Sequence, residues 1–305
     1  MQRSWDGFPP AFERLIFRQL SVPTWRTAAN IPGDVAVQRS GAQGSCMDSI
    51  ASILVFTDLD GTLIEHETYS FQPAVPALTK LRDIGAGVVL ASSKTAPEII
   101  ALRHEIGLEA WPAIVENGAG LLPANTRSVP PSNAYIALRV ALTGLPSELR
   151  QLFRGFGDMS AAEVCEVTGL PEDQAELAKQ RAYSEPGLWL GTKDERSLFL
   201  EKLTEIGVFA REGGRFLTLS FGATKADQMA QIIQQFQPQT TVALGDAPND
   251  VEMLEAADHG IIVANPHRPA LPVLRGETCG RITRTDLAGP HGWNAAMLRL
   301  IERLN

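Results

Sequence analysis

Asp58 and Asp60 stand two residues apart, directly after the apolar run Ile53-Leu54-Val55-Phe56 and before Gly61-Thr62-Leu63. If extended backbone persists through Asp58, positions i and i+2 project to the same side, so both carboxylates can address one reacting group. One can attack while the other moves a proton. Gly61 permits a tight turn and lets backbone N–H groups approach an anion. The same residues also suit an ordinary Asp-Gly turn at a strand end, so the pair gains meaning from what accompanies it.

A second acidic cluster, Gly245-Asp246-Ala247-Pro248-Asn249-Asp250, follows another apolar run. Oxygen donors without a nearby His or Cys suit a hard cation, Mg²⁺ before Zn²⁺. The stretch also suits a helix start capped by Asn249 or Asp250. Opposite Asp58 and Asp60, these carboxylates would repel one another strongly unless a cation joined them. Ser92-Ser93-Lys94-Thr95 opens a helical stretch whose hydroxyls and free N–H groups make an anion site, or simply cap the helix. Lys225 begins another helix, where the macrodipole disfavours a cation and asks for a nearby anion; otherwise it is a solvated lysine. With 21 arginines to 6 lysines, a lysine in such a place stands out.

The elements that must hold these groups follow from hydrophobic spacing. Five short apolar runs, at 53–56, 88–91, 113–115, 242–244 and 261–263, alternate with helical spacing at 74–84, 95–106, 225–236, 249–257 and 293–303. Continuous runs of this length suit strands covered on both faces, and the alternation predicts a doubly wound, Rossmann-like α/β core with a parallel sheet. Four of the runs are followed at once by polar groups: Thr57-Asp58, Ser92-Ser93, Glu116-Asn117-Gly118 and Gly245-Asp246. Past the carboxyl ends of parallel strands is where such sheets bind ligands, so four stretches converge on one crevice.

Residues 125–220 break the alternation and read as an inserted α+β cap domain, with helices at 147–154, 160–167, 172–182 and 195–205 and strands at 135–140, 187–190 and 215–220. Its boundaries, Pro130-Pro131 and Gly213-Gly214, suit hinges. The core then comprises 51–124 and 221–305. Residues 1–50 lack sustained periodicity and read as a loosely ordered extension, with Met47 a candidate natural start.

The totals exclude several classes. Hydrophobic residues at 44% and charged residues at 20% describe a globular chain, not a disordered or fibrous one. A net charge of −8 is the wrong sign for a protein that neutralises nucleic-acid phosphates. No run approaches the ~20 apolar residues of a membrane span. Cys46, Cys165 and Cys279 are odd in number and far apart, which fits a reducing, cytoplasmic setting. The five histidines form no ligand spacing and read as structural.

Taken together, Asp58-Leu59-Asp60-Gly61-Thr62, Ser92, Lys225 and Gly245-Asp246 with Asn249-Asp250 resemble the four motifs of the haloacid dehalogenase superfamily, over about residues 53 to 300. The resemblance implies a phosphatase with a phosphoaspartyl intermediate. Asp58 would be the nucleophile and Asp60 the acid and base. Asp58, the Asp60 carbonyl and Asp246 would bind Mg²⁺, with Asp250 a further ligand or support. Gly61, Ser92, Lys225 and Asn249 would hold phosphate. The insert's position resembles the cap of the Cof-type branch, in which Ser92-Ser93-Lys94 replaces a frequent Thr-Gly-Arg.

Within that branch the chain looks most like mannosyl-3-phosphoglycerate phosphatases, through Phe56-Thr57-Asp58-Leu59-Asp60-Gly61-Thr62-Leu63, Ser92-Ser93-Lys94-Thr95, Val115-Glu116-Asn117-Gly118-Ala119, Gly155-Phe156-Gly157-Asp158-Met159, Thr168-Gly169-Leu170 and Ser184-Glu185-Pro186. Ala182 departs from the carboxylate expected after Arg181. The implied substrate is a small phosphorylated glycoside, a hexose on 3-phosphoglycerate, whose product is a compatible solute. Lys94 and Arg181 are candidates for its carboxylate, Asn117 and Glu185 for hydroxyls, with Ser93 beside them. A phosphomutase, another sugar-phosphate phosphatase and a non-catalytic binding protein on the same fold are the competing readings, and nothing in the residues fixes an oligomeric state.

Overall fold

The computed structural model of this chain describes residues 52–304 apart from 67, 130, 131 and 214. The expected extension at 1–50, the candidate start at Met47 and the Pro130-Pro131 boundary lie outside the described residues. In order, the main elements are β1 (Ile53–Thr57), α1 (Val75–Asp83), β2 (Gly87–Ala91), α2 (Ala96–Ile106), β3 (Ala113–Val115) and β4 (Gly120–Leu122). There follow α3 (Asn133–Thr143), β5 (Phe153–Gly155), α4 (Ala161–Thr168), α5 (Glu172–Lys179), β6 (Glu185–Trp189), α6 (Lys193–Glu205), β7 (Phe209–Gly213) and β8 (Phe216–Ser220). The chain closes with α7 (Lys225–Phe236), β9 (Thr240–Gly245), α8 (Val251–Ala256), β10 (His259–Ala264), β11 (Ile282–Ala288) and α9 (Gly289–Leu304).

The core sheet has the strand order β11-β10-β9-β1-β2-β3-β4, parallel throughout except where β4 folds back on β3. Every residue of β1, β2 and β3 is buried, as strands covered on both faces must be. Successive side chains of β1 alternate between the two cores. Ile53 and Val55 join Leu63, Trp293 and Met297 on one face, whereas Leu54 and Phe56 join Met229, Ile232 and Met253 on the other. Burying side chains of this size contributes about 1.5–3 kcal/mol each. The fold class is therefore an α/β Rossmann-like core, and the residues between β4 and α7 add the second, four-stranded antiparallel sheet β5-β6-β8-β7 of an inserted cap.

Three expectations for the cap need correction. Residues 135–140 are not a strand but the middle of α3. Ser132 caps that helix by accepting a hydrogen bond from Ala134 N, and Leu138, Ala141 and Leu142 face inward at helical spacing. Ile136 and Val140 remain exposed on its outer side, and with Leu138 they produced a false alternation. The helix expected at 147–154 stops after Ser147–Arg150, and β5 takes over. The helix expected at 172–182 ends at Lys179, which leaves Arg181 in the following turn.

This topology sets the site. Order β9-β1-β2-β3 makes the residues after these strands neighbours, with Asp58 N donating to Leu244 O of β9 at 2.9 Å and Ser92 N to Ile114 O of β3 at 2.9 Å.

Candidate active site

Asp58 leaves the end of β1 with its side chain buried against the start of α7. Lys225 is 1% exposed and donates to Asp58 Oδ1 at 2.6 Å and to Asp250 Oδ1 at 2.7 Å. A cation in the first helical turn is thus matched by two carboxylates, while Thr224 and Asp227 close the capping box around it. Asp250 also accepts from the N–H groups of Asp246 and Ala247 at 3.2 and 3.0 Å, which fixes the turn carrying Asp246. Asp246 in turn accepts from Thr62 Oγ1 at 2.9 Å and Asn265 Nδ2 at 2.7 Å, and Arg268 Nε lies 3.1 Å from it.

Oxygens of Asp58, Asp246 and Asp250 lie within 4.8 Å of one another, in a site where all three are buried. Burial pushes the Asp58 and Asp250 carboxyls up to about 6, against the pull of Lys225. Burial likewise raises Asp246, and the charge of Asp250 adds to the shift. For Lys225 burial acts to lower the affinity for its proton, but Asp250 and Asp58 outweigh it and hold the ammonium above the usual lysine range. Three buried carboxylates thus face one buried ammonium and one partly exposed guanidinium. An all-oxygen cluster with surplus negative charge fits a hard divalent cation.

Asp60 sits apart from the cluster and partly exposed, 3.2 Å from Lys94 Nζ. Burial acts to lower Lys94, but Asp60 and Glu98 raise it overall. The Tyr69 ring lies 5.2 Å from the same ammonium. Gly61 follows with φ +82°, and a Cβ there would meet Asn265 Nδ2 at 2.3 Å, so only glycine permits both the turn and the amide that orients Asp246. Ser92 is buried at the end of β2. Asn117 and Asn249 meet across the cleft, Nδ2 of Asn249 donating to Oδ1 of Asn117 at 2.9 Å.

Asn117 is one of two consecutive non-glycine residues with positive φ, Glu116 at 52° and Asn117 at 58°, followed by Gly118 at 92°. Each such residue costs of order 1 kcal/mol or more and marks backbone bent for a purpose. A Cβ on Gly118 would come within 2.2 Å of Lys225 N, so this turn is what lets the start of α7 approach the sheet.

Two residues expected to contact substrate are engaged by the protein's own groups. Glu185 is fully buried inside the cap, where it accepts from Tyr135 Oη, Arg139 Nη1 at 2.9 Å and Gly157 N at 2.8 Å, so its oxygens are committed to the cap rather than turned to sugar hydroxyls. Arg181 donates to Ser93 O at 3.3 Å and to Ser184 Oγ at 2.8 Å, with Glu116 beside it at 3.4 Å. Its charge is met by the protein's own carboxylate.

Sequence reasoning placed Thr62 and Glu116 in the motifs without giving them a role and did not single out Asn265 or Arg268; Thr62, Asn265 and Arg268 all meet Asp246, and Glu116 holds the cap segment 182–184. Of the histidines read as structural, His66 and His267 stack at 4.8 Å and line, with His291, a cavity of about 300 Å³ beside Gly61 and Asn265.

Known proteins share this fold. Residues 55–132 and 196–275 match the family model of haloacid dehalogenase-like hydrolases. Among solved structures, a haloacid dehalogenase-like hydrolase from B. subtilis is 19% identical with TM-score 0.56, over 81% of this chain and 99% of that one. The sucrose-phosphatase from Synechocystis sp., solved with sucrose and phosphate, is 16% identical with TM-score 0.55, over 82% and 98%. A phosphatase of the same superfamily from Bacteroides thetaiotaomicron is 17% identical with TM-score 0.55, over 87% and 98%. At these identities the likeness is one of fold. No helix among the described residues is long and apolar enough to cross a membrane.

Proposed function

We propose that this chain, which belongs to the haloacid dehalogenase-like hydrolases, is a Mg²⁺-dependent phosphatase that hydrolyses mannosyl- or glucosyl-3-phosphoglycerate to the glycosylglycerate through phosphorylated Asp58. The observation that carries the reaction class is the buried cluster at the end of β1, where Asp58 lies 2.6 Å from Lys225 with Asp246 and Asp250 alongside.

Asp58 attacks phosphorus in line, forming an acyl phosphate as the ester oxygen leaves with a proton from the Asp60 carboxyl. Asp60, now ionised, takes a proton from the water that attacks the acyl phosphate, and phosphate departs with Asp58 restored. Lys225, Ser92 and the N–H groups around Gly61 hold the phosphoryl oxygens as charge redistributes over them. Asp250 aims Lys225 and braces the turn of Asp246. Asp58, the Asp60 carbonyl and Asp246 would hold Mg²⁺, which would offset the surplus carboxylate charge and polarise the phosphoryl group.

The substrate assignment rests on the motifs shared with mannosyl-3-phosphoglycerate phosphatases and on Lys94, a cation beside Asp60 that suits a leaving group bearing a carboxylate. Asn117 and Ser93 border the same cleft. The test is phosphate release by purified protein with Mg²⁺ over mannosyl- and glucosyl-3-phosphoglycerate, sucrose 6-phosphate and simple hexose phosphates. The glycosyl phosphoglycerates are expected to have the highest kcat/KM. Faster hydrolysis of the hexose phosphates than of both glycosyl phosphoglycerates contradicts the substrate assignment, and no release from any ester contradicts the phosphatase.

A further inference from the structure

We propose that Glu116 is a positioning residue, a core carboxylate that seats cap segment 182–184 so that the leaving group is recognised. The inference rests on the phosphatase reading above. Glu116 stands just past β3 and is 1% exposed. Its Oε1 accepts from Ala182 N at 2.7 Å, and its Oε2 accepts from Tyr183 N at 3.1 Å, Ser184 N at 2.7 Å and Ser184 Oγ at 2.8 Å. Arg181 Nε adds a positive charge at 3.4 Å. A buried carboxylate would be costly here without these donors, and three successive cap N–H groups would be orphaned without the carboxylate.

The same residue is tied to the catalytic loop from behind. Glu116 N donates to Lys94 O at 3.0 Å and Asn117 N to Ser92 O at 2.8 Å, and Arg181 returns from the cap to Ser93 O. Loop 92–94, turn 116–117 and cap segment 181–184 therefore form one closed circuit of hydrogen bonds. Thr95 Oγ1 extends it by donating to Leu177 O at 3.0 Å. Glu116 holds these contacts from a left-handed backbone, φ 52°. The phosphoryl chemistry at Asp58 does not use the Glu116 carboxylate; the seating of the cap over the leaving group does.

Every atom facing this carboxylate is a donor, so Glu116→Gln, though isosteric, must turn an NH₂ group toward N–H or O–H groups. Hydrogen exchange of the amides of 182–184 and kcat/KM for mannosyl-3-phosphoglycerate and for p-nitrophenyl phosphate, measured on wild type, Glu116→Gln and Glu116→Ala, test the proposal. In both variants these amides should exchange at least about tenfold faster, and kcat/KM for the glycoside should fall at least about tenfold, chiefly through KM. The small aryl ester, whose leaving group needs no cap contact, should change less than about threefold. Wild-type exchange and kinetics in Glu116→Gln would reduce Glu116 to packing and overturn the proposal, as would equal losses on both esters. A wild type inert toward both esters refutes the phosphatase, and the exchange rates alone then decide whether Glu116 seats the cap. If neither variant folds, Ser184→Ala, which removes one of the donors, should move the same quantities in the same direction by a smaller factor, and no change would overturn the proposal.

Discussion

Two charge clusters, a buried one at the carboxyl edge of the core sheet and a partly exposed one built around buried Glu185 in the cap, follow opposite principles. At the core edge Asp58, Asp246 and Asp250 outnumber Lys225 and the partly exposed Arg268, and burial raises all three carboxyls. In the cap, Glu185 and Asp158 are met by Arg139 and Arg150, with Tyr135 and the N–H groups of Gly155 and Gly157 completing the set. The cap cluster is neutral and saturated, so it needs nothing from outside. The core cluster is left with negative charge that, at neutral pH, a bound cation would offset. Charge balance, more than the presence of acidic residues, separates a site from a framework.

That contrast can be broken by experiment, and the largest effect belongs to the core. Lys225→Met removes the ammonium shared by Asp58 and Asp250 and should lower kcat by about 10³-fold. A kcat within tenfold of wild type, measured at saturating Mg²⁺, would mean that Lys225 is only structural.

The next effect concerns stability. Arg139→Met leaves the Glu185 carboxylate buried with Tyr135 and one N–H group, and should destabilise the protein by about 3 kcal/mol at pH 7. Burial already raises the Glu185 carboxyl, so part of the loss should return as the pH is lowered and Glu185 takes up a proton. Denaturant unfolding with and without Mg²⁺ checks this. The stabilisation by Mg²⁺ should be unchanged in the variant, and its disappearance would show that the two clusters are not independent.

The smallest effect is a pH dependence. Asp58 and Asp250 have folded-state values of about 6, above the unfolded carboxylate value, so between about pH 4 and 6 the folded metal-free protein binds more protons than the unfolded chain. Stability contributed by these groups is present below that window and is lost as pH rises through about 6. Cation binding requires the deprotonated forms, so the rise in Tm on adding Mg²⁺ should be larger at pH 7.5 than at pH 5. An equal rise at both values would contradict the assignment of the cation to this cluster.

The strand-end members of the candidate site were legible in the sequence because they stand just past continuous apolar runs, and a parallel sheet brings such positions to one edge. Asp58, Ser92 and Asp246 needed only that rule. Their supports were not legible: Thr62 reaches Asp246 and Glu116 reaches Ser184 through side chains that only the folded topology makes neighbours. Strand β11 escaped because it is an edge strand whose inward residues, Ile282 and Thr285, are separated by exposed polar ones. The cap was read least well. Its helix α3 carries exposed Ile136 and Val140 that imitate strand alternation, and Arg181 and Glu185 carry charges that suggest a ligand when the residues that balance them, Glu116 and Arg139, are distant in sequence.

The central claim, that the Asp58 carboxylate becomes esterified to phosphorus, is tested most directly by mixing excess enzyme with substrate and Mg²⁺, quenching in acid within the first turnover and mapping the phosphoryl group by peptide mass spectrometry. The account predicts phosphate on the peptide containing Asp58 and none in Asp58→Asn. Full turnover with no phosphorylated peptide at any quench time, or phosphate carried on another residue, would contradict it.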